Sequence, residues 1–75
     1  MEKLIELIKD YEDSIINEES NKIAMNKYLR VERYMSKYDL NNKDLLKALE
    51  EVGAISPMSI LNDWYEDLEY RMVVK

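Results

Sequence analysis

The 75-residue chain contains no cysteine and no histidine, and only one glycine and one proline. Each absence closes a class of chemistry. Without cysteine no disulfide can staple a small domain, and without either residue the thiolate and imidazole ligands that zinc prefers are missing. The same two absences remove the histidine- and cysteine-based triads and dyads of nucleophilic catalysis, and a single glycine cannot build a phosphate-cradling loop. Di-metal bundles pair glutamates with Glu-x-x-His, which this chain cannot supply. The sequence therefore points to no catalytic residue, no metal and no cofactor, and to a protein that is not an enzyme. No apolar run approaches the roughly 18 residues that cross a bilayer, and charges interrupt residues 1–10 too often for a signal peptide. The expected setting is cytoplasmic, with no membrane.

What remains is a globular composition, 47% hydrophobic and 36% charged, too apolar for a disordered tail. A chain this short is one domain, residues 1–75, and its core alone supplies little net stability. Association with a second copy or another protein is a natural way to bury more surface.

Apolar periodicity organises the chain into helices. Leu4, Ile8, Tyr11 and Ile15 recur at spacings of four, three and four, which predicts a helix over about residues 2–17. Ile5, Leu7 and Ile16 widen its apolar arc beyond what one neighbouring helix covers, so two neighbours are expected. Ser20 can cap the next helix, about 21–38, whose inward seam is Ala24, Tyr28, Val31, Met35 and Tyr38. Residues 17–20 hold neither glycine nor proline, so the pattern also admits one long helix from 2 to 38.

Asn41 as cap, Asp44 in the first turn and Leu40 with Leu45 as a staple pair start a third helix, about 42–52. Gly53 supplies the left-handed residue that closes it. Ser56, Pro57 and the pair Ile55 and Ile60 repeat the same start signals, predicting a fourth helix over about 57–72 with Leu61, Trp64, Tyr65, Leu68 and Met72 inside. The expected fold is all-α, a small four-helix domain made of two helical hairpins.

The net charge of −5 is unevenly spread. Residues 1–20 carry −5, residues 21–47 carry +4 and residues 48–75 carry −4. Neighbouring helices of opposite sign complement one another, and that is the first reading of the pattern.

Three charge-based functions compete with it. Residues 44–69 loosely resemble the helix-turn-helix unit of transcriptional regulators, over about a third of the chain. That resemblance implies DNA reading by the fourth helix, whose exposed face instead offers Asp63, Glu66, Asp67 and Glu69 where cations are needed. Lys22, Lys27, Arg30, Arg33 and Lys37, interleaved with Tyr28, Tyr34 and Tyr38, would suit single-stranded nucleic acid if the rings faced outward. Glu2, Glu6, Asp10 and Asp13, about one helical turn apart, could imitate a row of phosphates and let the chain occupy the basic groove of a nucleic-acid enzyme.

Six tyrosines, five methionines and Trp64 favour a different surface, one that grips another polypeptide. Once the seams are assigned to the core, Met25, Leu29, Tyr34, Met58 and Tyr70 are left over as interface candidates. The function expected from the sequence is a non-enzymatic protein-interaction module, a small accessory regulator or inhibitor of the kind phages and mobile elements encode. It acts as a homodimer that docks on a protein partner through helix faces. A helix-turn-helix DNA-binding regulator is the first alternative and an acidic DNA mimic the second; nucleic acid is not the favoured partner.

Overall fold

Four helices form in the computed structural model, which describes residues 2–73: α1 (Glu2–Ile16), α2 (Asn21–Lys37), α3 (Asn42–Val52) and α4 (Asn62–Val73). The fold is all-α, and α1 packs against both α2 and α3 while α3 packs against α4. The two neighbours expected for α1 are thus α2, its hairpin partner, and α3 from the second hairpin. Residues 2–38 are two helices, not one.

The helix starts follow the sequence signals. Ser20 accepts the Ile23 amide at 3.3 Å. Asn41 and Asp44 form a reciprocal capping box, each side chain taking the other residue's amide at 3.0 Å.

The helix ends share one device. A left-handed residue donates its amide three residues back, and its successor donates five residues back. At α1 these bonds are Glu18 to Ile15 (3.1 Å) and Glu19 to Ser14 (3.0 Å). At α2 they are Asp39 to Ser36 (3.3 Å) and Leu40 to Met35 (2.8 Å), and at α3 Gly53 to Glu50 (3.0 Å) and Ala54 to Leu49 (2.9 Å). Only the third end uses glycine. Glu18 and Asp39 both take φ 53°, where a Cβ crowds the backbone.

The start of α4 differs from the sequence expectation: it lies at Asn62, not at 57. Residues 53–61 form consecutive turns in which the Ser56 amide donates to the Gly53 carbonyl (3.0 Å) and the Ser59 amide to the Ser56 carbonyl (2.9 Å). The two serines cause the delay. Ser56 Oγ accepts from the Met58 amide at 3.2 Å and Ser59 Oγ from the Leu61 amide at 3.1 Å, so each satisfies a nearby amide in a local turn that competes with helix. The first bond that carries α4 forward is Tyr65 to Leu61, at 3.0 Å. Ile55 and Ile60 consequently do not staple a helix and remain 54% and 42% exposed.

The core consists of Leu4, Ile8, Val31, Leu45, Ala48, Leu49, Ala54, Leu61 and Leu68. All four helices and both ends of the 53–61 connection contribute to it. Two expectations shift at the edges. Ile15 is 39% exposed, and Ser14 takes the buried position beside it with its hydroxyl donating to the Tyr11 carbonyl at 2.6 Å. Ser14 lies one turn beyond Asp10, the residue that α2 reaches with Lys27, so the small side chain sits on the side of α1 that α2 covers. Tyr38, expected inside, is more than half exposed because α2 stops at Lys37 and the closing turn carries the residue outward.

Left-handed strain at a residue with a Cβ is removable. Glu18→Gly should raise the unfolding free energy by roughly 1 kcal/mol. Gly53→Ala should lower it by a similar amount, although a Cβ there would meet nothing within 4 Å, because the cost lies in φ 88° itself. Urea unfolding of the two variants checks both signs.

Candidate protein-interaction surface

Three aromatic rings join the elements that the helix backbones leave apart. No Cα of α4 comes within 8 Å of one in α1 or α2 among the described residues. Trp64 nevertheless meets Tyr11 of α1 edge-on at 5.8 Å between centroids and Tyr28 of α2 at 5.5 Å, and the two tyrosines lie 5.7 Å apart. Helical spacing puts the rings there: Tyr11 is three residues past Ile8, Tyr28 three before Val31, and Trp64 four before Leu68. Each pair of this kind contributes about 0.5–1.5 kcal/mol beyond the area it buries.

Hollows open on two sides of Tyr28. The larger, about 540 Å³, is a groove between α1 and α2 lined by Tyr11, Ile15, Asn21, Ala24, Met25 and Tyr28. The smaller, about 280 Å³, separates α2 from α4 and holds Glu32 and Arg71 opposite Val31, Leu45 and Trp64. Burial pushes the Tyr28 phenol above its ordinary value, and the Glu32 carboxylate beside it acts in the same direction.

The five interface candidates fall on three elements, α2, the 53–61 connection and α4. Met25, 57% exposed, is the one that lines the groove, and half-buried Leu29 follows it by one turn on α2. Met58 is 91% exposed at the tip of the 53–61 connection, and Tyr70 is 66% exposed on α4. Tyr34 is half-buried, packs against the core and meets the Tyr38 ring at 4.7 Å. Sequence reasoning did not single out Ile16 and Ile23, 58% and 42% exposed where α1 ends and α2 begins. The sequence pattern places Ile16 only in the apolar arc of the first helix and gives Ile23 no role. The signal that could have found them is the density of isoleucine around a short polar connection.

The 53–61 connection is held against α1 by Ser59, whose hydroxyl donates to Glu12 Oε1 at 3.4 Å. Tyr65 ties α4 to α3, its hydroxyl donating to Glu50 Oε1 at 2.9 Å. That bond holds the proton on the phenol, and the Tyr65 pKa is pushed up to about 12.

The charge pattern is partly spent inside the chain. Lys27 bridges Asp10 at 3.3 Å and Glu19 at 3.6 Å, and Arg30 reaches Asp10 at 3.9 Å. The acidic row of α1 is therefore interrupted at Asp10, and Lys3, Lys9 and Arg30 share the surface hollow around it. Lys37 stands 5.4 Å over the Tyr38 ring. On α4, Arg71 pairs with Asp67 at 3.1 Å, one turn away. Among the described residues no cluster of three acidic, histidine or cysteine side chains is placed to hold a metal ion. No helix among them is long and apolar enough to cross a membrane.

The connection between α3 and α4 spans residues 53–61, longer than the three or four residues of a DNA-binding helix-turn-helix. Comparison with protein-family models, curated proteins and solved structures finds no match to this chain.

The Tyr65–Glu50 bond predicts a late phase in alkaline titration. A phenol whose folded pKa is raised contributes stability below its ordinary value of 10.0, and that contribution is lost as pH rises through about 12. Followed by tyrosinate absorbance, one tyrosine should ionise near pH 12. Tyr65→Phe should delete that component and Glu50→Gln should move it down.

Proposed function

We propose that the chain is a non-enzymatic protein-interaction module, a small cytoplasmic accessory regulator or inhibitor of the kind phages and mobile elements encode. It holds a protein partner against the end of the α1–α2 hairpin. One observation carries the reading: Ile15 and Met25, 39% and 57% exposed, line the groove between α1 and α2, and Ile16 and Ile23 are left 58% and 42% exposed where α1 ends and α2 begins. Fully burying a side chain of this size is worth about 1.5–3 kcal/mol, so four of them left partly in water represent an unmet driving force for association. An amphipathic helix of the partner would seat its apolar face there through side chains three and four residues apart. Met58, almost wholly exposed on the neighbouring connection, adds an adaptable contact.

Two other readings draw less support. DNA recognition by α4 would present Asp63, Glu66, Asp67 and Glu69 to phosphates after a connection too long for the motif. Imitation of DNA by α1 would need Asp10, which is engaged by two cations of α2.

Capture from the native host with folded variants separates these readings. The wild-type chain should retain a host protein, and Met25→Asp or Ile15→Asp should weaken that retention by tenfold or more, about 1.4 kcal/mol. Helicity by circular dichroism should be unchanged in both. Retention indifferent to both variants would contradict the assignment of the groove. No retained protein, together with duplex DNA affinity that falls steeply with salt, would replace the reading with nucleic-acid binding.

A further inference from the structure

Away from the core, α2 presents Lys22, Met25, Leu29 and Arg33 along one stripe, spaced three, four and four residues apart. Lys37 continues it by one further turn. The outward stripe of α4 is Asp63, Glu66, Tyr70 and Val73, spaced three, four and three, and all four side chains are exposed. The α2 stripe places Met25 and Leu29 between Lys22 on one side and Arg33 and Lys37 on the other, and the α4 stripe runs from acidic to apolar. We propose that α4 of a second copy of this chain packs antiparallel along the outward stripe of α2. This rests on the reading of the chain as an interaction module and names one of its partners.

The register follows from the rise of an α-helix. With Leu29 set opposite Tyr70, one turn, about 6 Å, leads from Leu29 to Arg33 on α2 and from Tyr70 back to Glu66 on α4. The next turn brings Lys37 to Asp63. In the other direction Met25 meets Val73. Two apolar contacts and two opposite-charge contacts therefore fall in step. The parallel arrangement pairs fewer groups: with Met25 opposite Tyr70 it brings Leu29 to Val73 and Lys22 to Glu66, but it leaves Arg33, Lys37 and Asp63 without counterparts.

The charges on these stripes are in no intrachain ion pair among the described residues, while Lys37 stands 5.4 Å over the Tyr38 ring and Glu66 accepts from the Asn62 side-chain amide at 3.3 Å on its own helix. Among the described residues the intrachain ion pairs involve Lys27, Arg30 and Arg71 as cations and Asp10, Glu19 and Asp67 as anions. Arg33, Lys37, Asp63 and Glu66 are in none of them. Tyr70 and Val73 are 66% and 77% exposed among the described residues. The bulk distribution agrees, since residues 21–47 carry +4 and residues 48–75 carry −4. Contact between copies thus relieves both the apolar exposure and the segregation of charge.

Sedimentation equilibrium over a wide concentration range tests the pairing. The chain should self-associate reversibly, and less strongly as salt screens the pairs. Arg33→Glu alone and Glu66→Arg alone should each weaken association about tenfold, because reversal turns an attraction into a repulsion. The double variant R33E/E66R should recover most of the loss, and an equimolar mixture of the two single variants should associate more strongly than either alone. A wild-type chain that stays monomeric throughout, or one whose association ignores both single reversals, would overturn the pairing. So would a double variant no better than its parents. Should the reversals leave self-association unchanged while Ile15→Asp, which lies off the α2 stripe, still weakens host-protein capture, the pairing fails and the interaction module stands.

Discussion

Leu4 and Ile8 lie one helical turn apart on α1, fully buried, where the two hairpins meet. Because α1 is the one helix that packs against both α2 and α3, its apolar face must satisfy two neighbours at once. Truncating a buried isoleucine or leucine costs about 2–5 kcal/mol. For so short a chain that is a large share of the total, which runs at roughly 0.05–0.15 kcal/mol per residue. The other elements are secondary to this contact. Helix α2 adds Val31 to the core, and α4 joins through α3, through Leu68 and through the Trp64 ring.

That arrangement explains where surface is left over. A helix pair held at one end by core contacts and at the other by two tyrosines and a tryptophan leaves a groove along Ala24 and Met25. The isoleucines at the hairpin end stay partly exposed, and α4 meets α1 and α2 through the Trp64 ring and not through close packing of helix backbones. Exposed apolar groups and free surface charges thus arise from the same geometric fact: four short helices cannot enclose every apolar stripe they carry.

Much of the fold was legible in the residues because caps and spacings are local chemistry. Ser20, Asn41 with Asp44, and Gly53 each specify hydrogen bonds within a few residues, and each occurs where the spacing places it. Legibility failed where two local solutions competed. Ser56–Pro57 is a valid helix start, but Ser56 and Ser59 close local turns instead, with Ala54 and Leu61 buried at the two ends of the connection. The ends at Glu18 and Asp39 were hidden for another reason, since neither residue type announces a left-handed backbone. Of the candidate site, Met25, Met58 and Tyr70 stand in solvent as residues left over from the seams should, whereas Tyr34 and Tyr38 exchange roles because α2 ends one residue earlier than its pattern. The groove could not be read at all, being a property of how α1 and α2 cross.

Amide hydrogen exchange reports most directly whether α1 is the element on which the rest depends. If it is, the slowest-exchanging amides should lie in α1 around Ile8 and in α3 around Leu45–Leu49, opening only with global unfolding, while residues 53–61 and α4 exchange earlier by local opening. Slowest exchange in α2 or α4, with α1 opening first, would contradict the account.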